Sequence, residues 1–263
     1  MKMRAKWWIV SALFSWASGL SGCATREVRT DDVIWRVNIV AEHPHDSTAF
    51  TQGLAIYSGQ MYEGTGRYGF SSLRRVDVVT GTIEQMVSLD GAHFGEGITV
   101  LDNRIYQFTW RNNIAFVYDP DTFTVLATLR YDREAWGVTN DGTHLIVSDG
   151  SATIRFLDPG TLESVRHITA HTGTRVVASL NELEYVNDEI WANIWYKDRI
   201  ARISPVDGEI LGWIDFSEPH PHRDRNAEDV MNGIAFDAVS GRVFVTGKNW
   251  PRLYEIEVMR LSP

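Results

Sequence analysis

The sequence predicts an all-β chain folded as a five-bladed β-propeller, and three observations carry that prediction. Short runs rich in Val, Ile, Tyr, Phe and Thr fill the chain between Thr-Gly, Asp-Gly and Asp-Pro turns, and no segment sustains a capped helical period. A motif of one polar or aromatic residue, usually a Gly, and a short apolar strand recurs five times, beginning at Gln52, Glu96, Trp136, Asn181 and Asn232. Those copies stand 44, 40, 45 and 51 residues apart, which is the spacing of four-stranded blades. A two-layer sandwich would share the alternation of apolar and polar residues but not this period.

From the N-terminus, the run 33–40 reads as a strand outside the repeat. Each copy then continues from its opening strand into a second one, at 61–65, 105–110, 145–149, 190–195 and 243–248. A further hairpin follows at 73–89, 114–129, 154–168 and 200–214, turning at Thr80-Gly81, Asp119-Pro120, Asp158-Pro159 and Asp207-Gly208. After Lys248 only one strand fits, at 252–258, so the last blade is one short. The run 33–40 supplies the missing strand, which closes the ring and leaves no open sheet edge.

Composition narrows the function classes. The chain has 263 residues, 44% hydrophobic and 22% charged, an ordinary globular balance with room for one large domain. A net charge of −9 argues against nucleic acid or an anionic membrane surface as the main partner. Lys2, Arg4 and Lys6 precede an apolar run, 7–20, too short for a comfortable membrane span. Leu20-Ser21-Gly22-Cys23 then resembles the lipobox of bacterial lipoproteins, whose Cys is acylated; Cys23 is the only cysteine, with no disulfide partner. By the same analogy Ala24 favours the outer membrane. The expected organisation is a leader over 1–23, a linker over 24–32 and one propeller domain over 33–263, monomeric, facing the periplasm and touching membrane only through lipidated Cys23.

The repeat also places the chemistry. First strands of a propeller line its channel, and an antiparallel neighbour ends where the first begins. Gln52, Glu96, Trp136, Asn181 and Asn232 are therefore expected around one mouth, with Glu63, Trp110, Asp149, Trp195 and Lys248 just outside them. Indoles, carboxyls, amides and one ammonium converge there, a mixture that structural duty alone would not select. Asp149 and Glu63 read equally well as polar groups tied to nearby turns. Glu96 lies between Gly95 and Gly97; with Trp110 and Trp136 beside it, desolvation would keep it protonated near neutral pH, able to give and take a proton. Lys248 could polarise a carbonyl or pair with a carboxylate; its Thr246-Gly247-Lys248 string lacks the spacing of a phosphate loop. His43–His45 and His220–His222 sit in Pro-containing polar stretches and read as surface loops rather than metal ligands. Arg67 and Tyr68, in a Gly-rich run with no helix after it, are expected to project over the mouth.

Several strings carry a resemblance. Phe50-Thr51-Gln52-Gly53-Leu54, Phe94-Gly95-Glu96-Gly97, Trp136-Gly137-Val138-Thr139, Leu180-Asn181-Glu182-Leu183, Trp191-Ala192-Asn193-Ile194-Trp195 and Val245-Thr246-Gly247-Lys248-Asn249-Trp250 resemble the glutaminyl-peptide cyclotransferases of plant and bacterial type, in the same order, over about residues 49–256. The resemblance implies a five-bladed propeller that converts the N-terminal glutamine of peptides or proteins to pyroglutamate with release of ammonia, without cofactor or catalytic metal. It places the acid/base at Glu96, and Phe50, Gln52, Trp110, Trp136, Asn181, Trp195 and Lys248 in the pocket. Arg133-Glu134-Ala135 and the His-rich stretch 217–229 depart from the family pattern and bear on the rim. Two other classes compete: an envelope scaffold that binds proteins with its propeller face, and glycoside chemistry pairing Glu96 with Glu63 or Asp149.

Overall fold

The structure is a computed structural model that describes residues 34–217 and 226–260, all of them strand, turn or loop with no helix. The leader, Cys23, the linker and the triplet His220–His222 lie outside the described residues. Three antiparallel four-stranded sheets are consecutive in sequence. The first holds β2 (Thr51–Tyr57), β3 (Gln60–Thr65), β4 (Ser72–Val76) and β5 (Ile83–Ser88). The second holds β6 (Gly95–Leu101), β7 (Arg104–Thr109), β8 (Ile114–Tyr118) and β9 (Val125–Arg130). The third holds β10 (Val138–Asn140), β11 (Leu145–Ser148), β12 (Thr153–Leu157) and β13 (Ser164–Thr169). A small hairpin, β14 (His171–Thr172) and β15 (Arg175–Val176), stands apart from them.

The remaining strands form one eight-stranded sheet. β16 (Leu180–Val186), β17 (Glu189–Ile194), β18 (Arg199–Ile203) and β19 (Ile210–Asp215) make one half, and β20 (Met231–Asp237), β21 (Arg242–Gly247) and β22 (Arg252–Arg260) belong to the other. β1 (Ile34–Pro44) joins the halves. It runs antiparallel along β22, from Trp35 opposite Arg260 to Pro44 opposite Arg252, and pairs in parallel with β19 at Ile34 and Trp213. The strand expected at 33–40 thus sits beside the chain's last strand and covers an edge of β19 and of β22.

Burial falls from the first strand of each sheet to the last. β2 and β20 are buried on both faces over five consecutive residues, whereas β5 and β9 alternate toward solvent. β2 packs against β6 and β20, β6 against β10, β10 against β16, and β16 against β20, so the first strands surround an axis. Glycine permits that approach. A Cβ on Gly97 would stand 2.6 Å from the Val138 nitrogen, and one on Gly137 would stand 2.2 Å from the Asn181 oxygen. In the fourth copy Glu182 replaces that glycine and is fully buried. Its carboxylate oxygens accept the backbone N–H of Leu54 at 3.4 Å and of Ile234 at 2.9 Å, so one side chain ties three first strands.

Candidate active site

A cavity of about 420 Å³ opens at the end of the axis where the first strands begin. Its lining includes Phe50, Gln52, Glu96, Trp110, Trp136, Asn181, Trp195 and Lys248, together with Arg67 and Tyr68. The second strands β7, β17 and β21 end at Thr109, Ile194 and Gly247, so Trp110, Trp195 and Lys248 are each the first residue beyond a strand. Each still donates its backbone N–H across the sheet, to Phe94, Ser179 and Val230 respectively, and its side chain lines the mouth. Trp136 is fixed by its N–H to the Ser148 carbonyl at 2.9 Å and by Gly150, where any Cβ would come within 2.7 Å of the indole.

The walls are aromatic and mutually braced. Trp136 and Trp195 meet edge to face with centroids 5.2 Å apart, and Phe94 lies 5.6 Å from Trp110. Glu134 Oε2 accepts both indole N–H groups, from Trp110 at 3.3 Å and Trp136 at 3.4 Å. Arg111 pairs with the same carboxylate at 2.9 Å while its guanidinium covers the Trp110 ring at 3.8 Å. The two indoles are thereby held by one charged acceptor.

Two buried ionisable groups, Glu96 and Lys248, face this largely aromatic enclosure. Glu96 is 4% exposed, and no protein hydrogen bond reaches its carboxyl among the described residues. Burial holds its pKa well above the usual carboxylate range; the Lys248 charge opposes that rise and Glu134 adds to it. Burial likewise pushes the Lys248 ammonium down to about 8, against the pull of Glu96 and Glu228. Its Nζ lies 4.7 Å over the Phe50 ring. The cavity therefore pairs a carboxyl whose proton is held more tightly than usual with an ammonium whose proton is readily lost.

Three of the residues expected at the mouth are placed elsewhere. Glu63 lies three residues before the equivalent of Trp110, which is Gly66, so it is both deeper, by about 10 Å of strand, and on the opposite face. It is 2% exposed and takes hydrogen bonds from Thr51 Oγ1 at 2.7 Å and His45 Nε2 at 3.0 Å. Asp149 occupies the equivalent position in the third sheet but turns away, bound by Arg155 and by the Ser151 backbone N–H. Asn232 is fully buried beneath the mouth, where its Nδ2 donates to the Thr51 carbonyl at 3.0 Å and to Gln52 Oε1 at 3.2 Å. It orients Gln52 rather than lining the cavity.

His45 corrects the surface reading of the first histidine triplet. β1 extends to Pro44, and the His45 ring is buried, with Nδ1 donating to the Trp250 carbonyl and Nε2 to Glu63. A carbonyl on one nitrogen and an ionised carboxylate on the other require both to carry protons. Burial opposes that charge, yet the interactions with Glu63 and Trp250 raise the His45 pKa overall, and those with His45 and Arg74 hold Glu63 low. The clamp links the segment bearing Phe50 and Gln52 to the one bearing Lys248.

Phe94 and Glu228 also line the cavity. Phe94 had a signal in the sequence, since it stands two residues before Glu96 as Phe50 stands two before Gln52. Glu228 and the indole-bridging Glu134 lie in the two stretches that depart from the family pattern, 217–229 and 133–135, but nothing in the sequence singled out either carboxylate.

Comparison with known proteins agrees with this geometry. The sequence profile of the glutamine cyclotransferases matches residues 12–258. The chain belongs to the glutamine cyclotransferase family. It is 44% identical over 244 residues to the glutaminyl-peptide cyclotransferase of Arabidopsis thaliana, an alignment covering 88% of this chain and 75% of that protein. The crystal structure of Myxococcus xanthus glutaminyl cyclase superposes with a TM-score of 0.82 at 33% identity, covering 88% of this chain and 99% of that one. This cyclotransferase family member thus shares a propeller-like all-β fold with a solved glutaminyl cyclase.

Proposed function

We propose that this chain is a glutaminyl-peptide cyclotransferase in which Glu96 moves the protons that turn an N-terminal glutamine into pyroglutamate and ammonia. The observation that carries the assignment is a buried carboxyl, without a hydrogen bond from the described residues, in an indole-walled cavity, with an ammonium of lowered pKa facing the same space.

The cavity walls fold the glutamine so that its α-amine lies against its own γ-carbonyl, which supplies a large part of the advantage of an intramolecular reaction. The neutral amine attacks that carbonyl and forms the ring C–N bond. Lys248, with the amides of Gln52 and Asn181, stabilises the oxygen as it gains charge. One Glu96 oxygen then gives its proton to the departing nitrogen while the other takes a proton from the ring nitrogen. The carbonyl re-forms as the bond to ammonia breaks, and the carboxyl is regenerated. Trp110, Trp136 and Trp195 keep water from the tetrahedral species and Phe50 backs the ammonium.

The test is ammonia release from a Gln-initiated dipeptide. Glu96→Gln is expected to keep the fold and lose 10²- to 10⁴-fold in kcat, about the worth of one acid/base group. Lys248→Ala should lower kcat rather than raise KM alone, because its contact strengthens as charge develops. Turnover by Glu96→Gln close to wild type, with peptide still bound, would remove Glu96 from the mechanism.

Five blades is our reading of the architecture, supported by the five opening motifs and by β1 completing a four-stranded set with β20, β21 and β22. We also read residues 1–23 as a lipoprotein leader, which puts the catalytic domain on the periplasmic side of a bacterial envelope. Fatty-acid labelling should be lost in Cys23→Ala; labelling that persists would refute the anchor.

A further inference from the structure

Beyond Trp195 lies a second cavity, of about 470 Å³, that the chemistry above leaves unused. Trp195 is a wall of both cavities. Arg175, Lys197 and Arg199 line the second one, and no described carboxylate does, in a chain whose net charge is −9. Asp198 and Asp215 face the adjoining hollow, which Lys197, Arg199 and Trp213 also line.

The walls are built rather than incidental. The Trp195 N–H donates to the Ser179 carbonyl at 2.8 Å, and the Lys197 N–H donates to Ile194 at 2.9 Å, which fixes the turn between them. Tyr196 stacks on Trp195 with centroids 4.5 Å apart, and the Arg199 guanidinium rests 4.0 Å over Trp213. On the opposite side, Arg175 and the exposed Val176 come from the β14–β15 hairpin. That hairpin belongs to none of the four-stranded sheets, yet it is anchored at its base: the His171 N–H donates to Gly208 and the Val177 N–H to Ala170. An element the sheets do not need thus brings one cation and an apolar surface to the far side of the substrate pocket.

We propose that this cavity receives the peptide chain that follows the N-terminal glutamine and favours acidic side chains there. The inference rests on the cyclisation reading. A glutamine held in the first cavity leaves its chain at the rim, and extended peptide advances about 3.3–3.6 Å per residue. Two or three residues carry it past the Trp195 indole, so the third and fourth residues meet Arg175, Lys197 and Arg199. Backbone and methylene groups pass over Val176 and Trp195, while the carboxylates reach the cations.

The experiment compares kcat/KM for Gln-Ala-Asp-Asp-Ala amide with that for Gln-Ala-Asn-Asn-Ala amide at low salt. Gln-Ala, too short to reach the cavity, serves as the reference for each enzyme. The wild type should prefer the acidic peptide about five- to tenfold, mainly through KM, and lose most of that preference in 0.5 M salt. The double variant Arg175→Gln, Lys197→Gln, which keeps Arg199, should cut the preference by more than half. Equal rates for the two peptides beside normal turnover of Gln-Ala would overturn this inference and leave the cyclisation reading standing. A preference undiminished in the double variant would overturn it as well. No turnover of Gln-Ala by folded wild type would remove the cyclisation reading, and this inference with it.

Discussion

Glu96, Lys248 and Glu134 form one electrostatic unit, and the rate should follow it with pH. The substrate amine, with an ordinary pKa of about 7.7–8.0, must be neutral to attack, so activity rises toward pH 8. Lys248 loses its proton at about 8, and activity falls as it and Glu96, whose pKa burial raises, give up their protons. A pH–rate profile should therefore peak near pH 8. Glu134 helps hold Glu96 protonated, so Glu134→Gln should move the alkaline limb to lower pH. The same substitution leaves the two pocket indoles a neutral amide oxygen in place of a charged acceptor, and kcat/KM should drop severalfold. An alkaline limb unchanged in that variant would show that Glu134 acts on the indoles alone.

At the scale of the strand, β10 approaches β16 more closely at Gly137 than a side chain there allows. Gly137→Ala places a methyl carbon on the Asn181 carbonyl, and neither strand can retreat without disturbing its own neighbours. The expected loss is about 1–3 kcal/mol in a denaturant titration, with a fall in activity because Asn181 lines the pocket. Wild-type stability in that variant would mean that the strands can separate freely. Turns carry a different logic. Asp77, Asp119 and Asp158 each accept the backbone N–H three residues on, and the residue after that takes a left-handed φ. Gly81 does so at no steric cost, whereas Phe123 and Leu162 do so as buried side chains whose packing offsets about 1–2 kcal/mol.

For the whole molecule, β1 is the element on which closure depends. It pairs with β22 along nearly its full length and with β19 at its start, joining the first part of the fold to the last. Deleting residues 34–44 should expose the edges of β19 and β22, lower the thermal midpoint well below that of the full chain and promote association visible by size-exclusion chromatography. A monomeric truncation with an unchanged midpoint would show that the sheets hold together without it. The same closure brings His45, immediately after β1, to Glu63 and Trp250, so the strand that seals the ring also braces the pocket floor.

Much of this was legible in the sequence because a repeat converts spacing into position. The five opening motifs, the second strands and the closing strand can be read from alternation and turn residues, which are local properties of the chain. From them follows the placement of Gln52, Glu96, Trp136 and Asn181 at one end, and of Trp110, Trp195 and Lys248 beside them. Glu63 escaped that reading because a shift of three residues along a strand reverses its face, and no local signal fixes the register. Asp149, Asn232 and His45 escaped it because their partners, Arg155, Gln52 and Glu63, are chosen by geometry rather than sequence distance. The same holds for Glu134 and the basic cavity beyond Trp195. The sequence by itself determined an all-β, propeller-like chain and the chemical groups near its mouth; only the tertiary structure decided which of them face the substrate space and which brace it, because burial and hydrogen-bond partners exist only once the strands have met.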